Sequence, residues 1–385
     1  MNDSRTVTVL GGGVGGVVAA IALRKKLSSR HRVVIVERER QHLFSPSLLW
    51  LMTGSRSESD ITRPVARLSR KGIEVVEDEI VEILPGARQV GLGSGQTLDA
   101  DHLVISLGAE LDLEAVPGLA EVGHCFYALS GAASLHDALV DFEGGRIIVL
   151  TAAPAYKCPA APYEAAMLIK DFCRRQGVGA KTQIDLYAAE PAPMGVTGPD
   201  VSAAVRRMVE DNEIGYHPEH QVTHLDSGTN TVFFENGVSA GFDLLAYVPP
   251  HRPPDVVTKT DLVNEDGWVT VDRHTMETGH PGIYAIGDIT RIPLKVGKPL
   301  PMAGVFAERQ ATVVARNIAT AITGERTSTR FDGHGECFIE TGSGKAGFGS
   351  GNFYAEPSPQ IKLHPPSRRW HIGKVLFEKR WLRRF

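Results

Sequence analysis

A glycine-rich turn between two short apolar runs, close to the N-terminus, constrains the fold of this chain more than any other feature. Residues 6–10 are apolar and β-branched and predict a buried strand, and residues 32–36 predict a second one. Residues 17–27 between them predict a helix. A strand, a glycine-rich turn, a helix and another strand together form the βαβ unit of dinucleotide-binding folds.

Three glycines in that turn, and one acid beyond it, have the spacing of a dinucleotide site. Gly11, Gly13 and Gly16 fit the G-x-G-x-x-G pattern. The first glycine permits a tight turn, the second lets backbone N–H groups approach a pyrophosphate, and the third allows close helix–strand packing. Glu37 ends the second strand, where its carboxylate can accept hydrogen bonds from ribose hydroxyls. The alternative is a glycine-rich turn without a ligand, and the pattern alone does not separate FAD from NAD.

Charge and cysteine content narrow the class of protein. The 385 residues carry a net charge of −4, which gives no signal for nucleic-acid binding. Residues 361–385 nevertheless hold eight lysines and arginines against a single glutamate, and this basic tail calls for an anionic partner or surface. No apolar run reaches the length of a transmembrane helix, and no secretory signal is visible before the first strand. The four cysteines and the scattered histidines predict neither a disulfide scaffold nor a metal site.

Two later segments favour FAD as the dinucleotide. Residues 103–108 form a buried-strand run that ends in Gly108, and residues 282–288 form a short strand that ends in Gly287-Asp288. The first is similar to the segment by which two-domain flavoproteins leave the FAD domain. The second is similar to their second FAD fingerprint, in which the acid binds a ribityl hydroxyl. An irregular, aromatic-rich loop around Pro46 either covers the cofactor or is an ordinary surface loop.

A second βαβ unit lacks the phosphate-binding glycines. Residues 146–150 predict a strand, residues 163–175 a helix and residues 183–188 the next strand. The turn at residues 151–159 contains no glycine, and its side chains and prolines would obstruct a phosphate. We therefore expect this unit to keep the fold without binding NAD(P)H, so the flavin needs a different electron donor.

The cysteines are spread along the chain, and each one alone is more simply a small buried side chain than a nucleophile. Cys158 lies in the glycine-free turn before a helix, whose N-terminus is expected to lower the pKa of a nearby thiol. Cys337 lies far along the chain, Cys125 precedes the second unit, and Cys173 lies inside its helix. No cysteine spacing supports thioredoxin or zinc chemistry.

Together these motifs resemble the sulfide:quinone oxidoreductases and the related flavin subunits of flavocytochrome c sulfide dehydrogenase. The resemblance covers nearly the whole chain and is carried by the first glycine motif, Cys158-Pro159-x-x-Pro162-x-Glu164, residues 281–288, residues 301–317 and Cys337. The placement of two cysteines around a glycine-free second unit is its most specific part.

The resemblance implies a redox-active pair of Cys158 and Cys337, joined directly or through sulfur near FAD. Sulfide would attack this bridge, leave a persulfide on Cys158 and free Cys337 as a thiolate, from which two electrons pass to FAD. Polysulfide or zero-valent sulfur would be released, and quinone would accept the electrons. Glu164 is then expected to handle protons, or else to be an ordinary carboxylate in the first turn of a helix. Cys125 corresponds to a third cysteine that, in several relatives, assists disulfide exchange or attaches to the flavin.

Two features near the C-terminus bear on the electron acceptor. Relatives often have a lysine after the proline near the flavin, whereas here Pro301 is followed by Met302. This departure leaves the helix N-terminus near Gly304 to stabilise reduced flavin. A helical wheel of the tail places Val375, Phe377, Trp381, Leu382 and Phe385 on one face and Lys379, Arg380, Arg383 and Arg384 on the other. The pattern predicts an interfacial helix on an anionic membrane, and the alternatives are a helix packed on the protein's own core or a frayed tail.

The predicted fold class is therefore α/β, with two Rossmann-like domains of the FAD-dependent pyridine nucleotide-disulfide oxidoreductase type and a membrane-facing C-terminal region. The expected domains are residues 1–110 with 255–320 for FAD, residues 111–254 for the second Rossmann-like domain, and residues 321–385 for the C-terminal region. The predicted activity is FAD-dependent sulfide oxidation, with quinone as acceptor and peripheral membrane attachment. A flavocytochrome-type flavin subunit, a type II NADH:quinone reductase and a non-enzymatic flavin or persulfide sensor stay open as alternatives, and a homo-oligomer is neither required nor excluded.

Overall fold

Strands and helices alternate along the chain in a computed structural model that describes residues 4–324 and 328–385. Residues 1–3 belong to the segment in which no secretory signal is expected, and residues 325–327 belong to the predicted C-terminal region. Both segments lie outside the described residues.

The strands and helices have the following bounds. The strands up to residue 111 are β1 (Thr6–Leu10), β2 (Arg32–Glu37), β3 (Gln41–Leu43), β4 (Thr62–Pro64), β5 (Glu74–Glu77), β6 (Ile80–Leu84), β7 (Gln89–Leu92), β8 (Thr97–Asp99), β9 (His102–Ile105) and β10 (Glu110–Leu111). The strands that follow are β11 (His124–Cys125), β12 (Gly145–Thr151), β13 (Thr182–Ala188), β14 (Gly215–His217), β15 (Val222–Asp226), β16 (Thr231–Phe234), β17 (Ser239–Gly241), β18 (Leu244–Val248), β19 (His251–Arg252), β20 (Ile283–Ala285), β21 (His334–Gly342), β22 (Lys345–Asn352) and β23 (Gln360–Ser367). The helices are α1 (Val14–Lys26), α2 (Leu48–Leu51), α3 (Glu58–Ile61), α4 (Leu119–Val122), α5 (Leu129–Val140), α6 (Ala161–Arg175), α7 (Pro199–Glu210), α8 (Asp255–Thr258), α9 (Gly304–Thr323) and α10 (Arg368–Leu382).

The first sheet contains five parallel strands in the order β20-β9-β1-β2-β5. Its strands are apolar on both faces because both faces are covered. Helices α1 and α9 pack against Val9 and Ile35 on one face, and the antiparallel strands β6-β7-β8 pack against Leu10 and Val34 on the other. The strand order reverses between β1 and β9, so a crevice opens at the carboxyl ends of these strands.

The second sheet repeats this arrangement with five parallel strands in the order β11-β18-β12-β13-β14. Strand β12, helix α6 and strand β13 form the predicted second βαβ unit. The fold class predicted from the sequence is thus confirmed, including a glycine-free turn between β12 and α6.

An antiparallel sheet of β21, β22 and β23 follows, and α10 packs across it. Strand β21 also contacts α6, so the C-terminal region joins the second unit. No helix within the described ranges is long and apolar enough to cross a membrane.

The predicted apolar membrane face of the tail is partly wrong. Trp381 and Leu382 are buried in the protein's own core, and Trp381 stacks on Phe44 with ring centroids 5.9 Å apart. The apolar side chains that α10 exposes are instead Ile372 (56%), Leu376 (61%) and Phe377 (39%). The helical-wheel argument failed because α10 buries an inner stripe with several polar members, and hydrophobicity alone does not reveal that stripe.

Candidate active site

A cleft of about 1040 Å³ runs from the carboxyl end of the first sheet to the start of α6 and the inner side of α10. The predicted cofactor residues that line it are Gly11, Gly13, Glu37, Pro46, Gly108, Gly287, Asp288 and Gly304. Cys158, Cys337 and Glu164 line the same cleft. Side chains and turns from distant parts of the sequence therefore meet in one continuous site.

The glycine turn after β1 has the shape that a pyrophosphate requires. Gly11 has a φ of +98°, and a Cβ there would lie 2.5 Å from the carbonyl oxygen of Ser106. A Cβ at Gly16 would overlap the carbonyl oxygen of Gly11, so this glycine permits close packing of the helix on the turn. A Cβ at Gly13 would meet nothing within 4 Å, because Gly13 borders the open cleft. The tight turn at Gly11 and the close packing at Gly16 are as their spacing predicted, and pyrophosphate binding at Gly13 stays a prediction.

Glu37 and His42 hold the turn in place. One carboxylate oxygen of Glu37 accepts a hydrogen bond from the backbone N–H of Gly12, and the other accepts one from the backbone N–H of Glu39. Nδ1 of His42 lies 2.9 Å from the carbonyl oxygen of Gly12. Because each carboxylate oxygen can accept more than one hydrogen bond, Glu37 keeps acceptor capacity for ribose hydroxyls.

The far wall of the cleft suits the flavin end of FAD. Burial raises the pKa of Asp288, although Lys157 acts in the opposite direction, and this carboxyl group faces the cleft. The N-terminus of α9 begins at Gly304, which also lines the cleft. A carboxyl group for a ribityl hydroxyl and a helix N-terminus for negative charge complete a site whose residues fit FAD.

Cys158 and Cys337 both line the cleft as free thiols, and they lie close enough that Cys158 acts on the pKa of Cys337. Cys158 has a φ of +51°, a left-handed conformation that costs a non-glycine residue about 1–3 kcal/mol. Three hydrogen bonds hold it there: its N–H donates to Met302 (2.7 Å), and its carbonyl accepts from the Tyr127 hydroxyl (3.1 Å) and the Ala161 N–H (2.9 Å). The strained backbone is thus fixed from three sides at the residue where we expect the chemistry.

The prediction that the helix N-terminus lowers the thiol pKa at Cys158 is wrong. Burial raises the pKa of Cys158 to about 12, and the carboxylate of Glu164 adds to the effect, while Lys374 opposes it. Burial likewise raises the pKa of Cys337. The partial positive charge at the helix N-terminus lowers the thiol pKa by less than burial and the Glu164 carboxylate raise it. Neutral sulfur is therefore the favoured form at both positions.

A buried ion pair lies beside the two thiols. Nζ of Lys374, on α10, donates to Oε1 of Glu164 at 2.7 Å, and the backbone N–H of Glu340 donates to the same oxygen at 2.8 Å. Burial alone would lower the pKa of Lys374, but Glu164 and Glu340 outweigh it and raise the pKa. Glu164 is thus the partner of an ammonium group, which the sequence did not indicate.

Sequence reasoning missed Lys374 because it counted this residue only as part of a basic tail. Lys374, Glu378 and Trp381 are spaced as i, i+4 and i+7, which places them on one helical face together with an aromatic side chain. All three are buried. That spacing was the available signal. Pro301 is followed by Met302 and not by the lysine that relatives often have there. In this chain a lysine enters the cleft from α10 instead, as Lys374.

Side chains fill the turn of the second unit. The carboxylate of Glu190, just beyond β13, accepts hydrogen bonds from the hydroxyls of Thr151 (2.8 Å), Tyr156 (2.5 Å) and Tyr163 (2.6 Å). Glu190 and the two tyrosines are buried. The Glu190 carboxylate therefore accepts hydrogen bonds from the protein's own hydroxyls and is buried, so it is not available to a ribose.

Cys125 and Cys173 lie outside the cleft lining. Cys125 is buried in the core around the second sheet, where burial raises its pKa. Cys173 is buried in the same core, in agreement with a structural role. The catalytic role of Cys125 stays a prediction.

Comparisons with known proteins agree with this geometry. The model of the pyridine nucleotide-disulphide oxidoreductase family matches residues 5–311. The chain is 24% identical to mouse mitochondrial sulfide:quinone oxidoreductase, with 91% of this chain and 79% of that protein covered. It is 27% identical to the sulfide-quinone reductase of Aquifex aeolicus, with 98% and 90% covered. The X-ray structure of the sulfide:quinone oxidoreductase from Aquifex aeolicus superposes with a TM-score of 0.87 at 24% identity, over 98% of this chain and 90% of that one, which shows a shared fold.

Proposed function

Because this chain belongs to the pyridine nucleotide-disulphide oxidoreductase family, we propose that it is an FAD-dependent enzyme that oxidises sulfide and reduces quinone. The observation that carries the proposal is the meeting of Cys158 and Cys337 on the wall of a cleft that fits FAD. The filled turn around Glu190 supports it, because electrons then have to come from a donor other than NAD(P)H.

The glycine turn and the N-terminus of α1 would hold the pyrophosphate of FAD, and Glu37 would hold its ribose. Asp288 would bind a ribityl hydroxyl, and the start of α9 at Gly304 would stabilise negative charge on the flavin. When bound, FAD supplies a two-electron acceptor next to the cysteines. We also propose the division into an FAD domain (residues 1–110 and 255–320), a second Rossmann-like domain (residues 111–254) and a C-terminal region (residues 321–385).

The two cysteines form a bridge that sulfide opens. Hydrogen sulfide anion attacks the sulfur of Cys158, the bond to Cys337 breaks, Cys158 keeps the added sulfur as a persulfide, and Cys337 leaves as a thiolate. A second hydrosulfide takes the outer sulfur of the persulfide as a hydrodisulfide, the shortest polysulfide, and leaves Cys158 as a thiol. Re-forming the bridge between Cys158 and Cys337 releases two electrons and one proton, and bound FAD would be the electron acceptor.

The Lys374–Glu164 pair controls how readily the two cysteines lose their protons. Each time a thiolate forms, the Lys374 ammonium is the charge that stabilises it, because Lys374 acts on the pKa of both cysteines. Glu164 acts in the opposite direction and so limits how far the thiolates are stabilised. The pair therefore lets the site form a thiolate only transiently.

The cysteine assignment is tested by sulfide-dependent reduction of a soluble quinone. We expect Cys158→Ser and Cys337→Ser each to abolish it while FAD content is kept, because either change removes the bridge. Cys173→Ala, which also removes a cysteine but lies outside the cleft, is the matched control and keeps the activity. Full activity in either serine variant would contradict the role of that cysteine, and activity with NADH in place of sulfide would favour a type II NADH:quinone reductase.

The exposed side of α10 is the proposed membrane contact. Ile372, Leu376 and Phe377 are exposed apolar side chains, and Lys379 and Arg380 are exposed beside them. Apolar side chains flanked by cations on one helix suit the interface of an anionic bilayer, where quinone resides. This contact shares Phe377 with the predicted apolar face, but Ile372 and Leu376 take the place of Trp381 and Leu382, which are buried.

Flotation with anionic phospholipid vesicles tests this contact. We expect Leu376→Glu to reduce vesicle binding by about ten-fold or more, since it places a charge in the contact. The control Val238→Glu changes an exposed valine that lies far from α10 in the chain, and it leaves binding unchanged. Equal binding of both variants would place the membrane contact elsewhere.

A further inference from the structure

Behind the wall of the cleft, two side chains continue the Lys374–Glu164 pair toward the protein surface. Glu340, on β21, is 1% exposed, and its two carboxylate oxygens lie 3.0 and 3.1 Å from Nδ1 of His371. The backbone N–H of Glu340 donates to the Glu164 carboxylate, so the main chain of Glu340 holds the two residues next to each other in one cluster. His371 is the member nearest to solvent, since 30% of its side chain is exposed.

Helix α10 places the cluster between the cleft and the protein surface. His371 and Lys374 are three residues apart on α10, so both side chains lie on the same helical face. Lys374 lines the cleft and His371 reaches the surface, while Glu340 interacts with both. The cluster therefore spans the layer between the cleft and solvent.

The charges of the cluster require an additional proton. Glu164 and Glu340 are two buried carboxylates, and Lys374 is a single buried ammonium. An unpaired buried charge costs several kcal/mol, so a further proton is held on Glu340 or on His371. Burial raises the pKa of Glu340, although Lys374 and His371 act in the opposite direction.

Neighbouring charged groups do not supply the missing charge. Arg56 and Glu378, which lie close to the same face of α10, form a salt bridge with each other at 2.8 Å. The ring of Trp50 contacts both His371 and Lys374 and is uncharged. The additional proton thus stays within one hydrogen bond, between Nδ1 of His371 and the carboxylate of Glu340.

We infer that Glu340 and His371 form a proton path from solvent to Lys374 in the cleft. The inference rests on the proposed function, because reduction of a quinone to a quinol takes up two electrons, supplied by reduced FAD, and two protons. Lys374 gives a proton to a quinone oxygen, Glu340 returns one to Lys374 through an intervening water molecule, and His371 replaces it from solvent; the sequence runs twice for each quinol. Only N–H and O–H bonds form and break in this sequence, and the protein is restored at its end.

Stopped-flow absorbance of the FAD-loaded protein tests the path in two half-reactions. For His371→Ala and Glu340→Gln, we expect reduction of the flavin by sulfide at the wild-type rate. Reoxidation by quinone slows by about ten-fold, less than the roughly hundred-fold typical of a group that transfers a proton directly to substrate. Added imidazole restores reoxidation in His371→Ala but not in Glu340→Gln. The matched control is His364→Ala, whose imidazole lies tilted against Trp370 with ring centroids 5.4 Å apart.

A proton resonance of the resting protein gives a readout that needs no turnover. We expect a downfield Nδ1–H signal of His371 that disappears in Glu340→Gln and persists in His364→Ala. Wild-type reoxidation rates in both variants, or slow reoxidation that imidazole does not restore in His371→Ala, would overturn the proton path. Failure of sulfide to reduce the wild-type flavin would instead overturn the proposed function, and the resonance would still test the pairing of His371 with Glu340.

Discussion

The two parallel sheets carry the same strand–helix–strand unit, yet only the first leaves space at its turn. At Gly13 a side chain would meet nothing within 4 Å, and α1 has no acid in its first turn. In the second unit Tyr156 fills the turn and donates to Glu190, while α6 carries Glu164 in its first turn. One backbone arrangement therefore forms either an open turn or a closed one, depending on a few side chains. Because side chains fill the second turn and no phosphate has to bind there, Cys158 can lie at the start of α6.

The largest expected effect is at the Lys374–Glu164 ion pair. This pair lies at the start of α6, where a dinucleotide-binding unit would hold a phosphate. Lys374→Met leaves the buried carboxylate of Glu164 without its ammonium, so we expect the free energy of unfolding to fall by about 3–5 kcal/mol. Denaturant titration measures it, with Lys379→Met, an exposed lysine of the same helix, as the control. Glu164→Gln added to Lys374→Met should recover part of the loss. If Lys374→Met lowers the free energy of unfolding no more than Lys379→Met does, the ion pair is not essential to the stability of the second unit.

The open turn of the first unit is tested by filling it. Gly13→Val places a side chain where the pyrophosphate has to lie, so we expect FAD affinity to fall at least about 100-fold, or about 2.8 kcal/mol. The apo protein should unfold at the wild-type temperature, because the added atoms project into open space. Gly86→Val also adds a side chain in open space, outside the cleft lining, and keeps FAD. Unchanged FAD binding in Gly13→Val would remove the distinction between the two turns.

The closed turn of the second unit is tested at Tyr156. Tyr156→Phe removes one of three hydroxyl donors to a buried carboxylate, so we expect a loss of about 1–3 kcal/mol in the free energy of unfolding. Tyr163→Phe removes a donor to the same oxygen, Oε1 of Glu190, and the double variant should deviate from additivity. Additive losses would indicate that the two hydroxyls do not act on one carboxylate. NADH should reduce none of these variants.

The smallest expected effect concerns the pH dependence of Cys158 in the reduced protein. Its pKa of about 12 lies above the ordinary value, so the thiolate fraction is low at neutral pH and rises as pH rises. The rate of alkylation by iodoacetamide, followed by mass spectrometry, should keep rising above about pH 10, where an ordinary cysteine with a pKa of about 8.5 has levelled off. Lys374→Met removes a cation that lowers this pKa, so alkylation should be slower still. Levelling by about pH 10 would contradict the raised pKa.

Local patterns predicted most of the fold and the cofactor half of the site. The strand, the glycines and the acid from residue 6 to Glu37 are adjacent in sequence, and their physical roles depend mainly on neighbouring backbone. The filled turn at Tyr156 was predicted only as an absence of glycine, because the hydrogen bonds to Glu190 join separate segments.

The catalytic half of the site depends on contacts between distant segments. Lys374 reaches Glu164 only after α10 packs across the last sheet, and Trp381 turns inward because its indole N–H donates to His42 (3.1 Å). The thiol pKa of Cys158 was mispredicted for the same reason, since burial is a property of the folded chain. The spacing of Lys374, Glu378 and Trp381 can mark the inner face of α10, but it does not identify the distant side chains that this face contacts.

Flavin absorbance of the purified protein under anaerobic conditions, during titration with sulfide and then with a soluble quinone, tests the central claim most directly. The account predicts that sulfide bleaches the flavin, that quinone restores its absorbance, and that NADH in a parallel titration does nothing. Bleaching by NADH and none by sulfide would contradict the account, because it would show that the second unit binds nucleotide and that Cys158 and Cys337 are not the route of electrons to FAD.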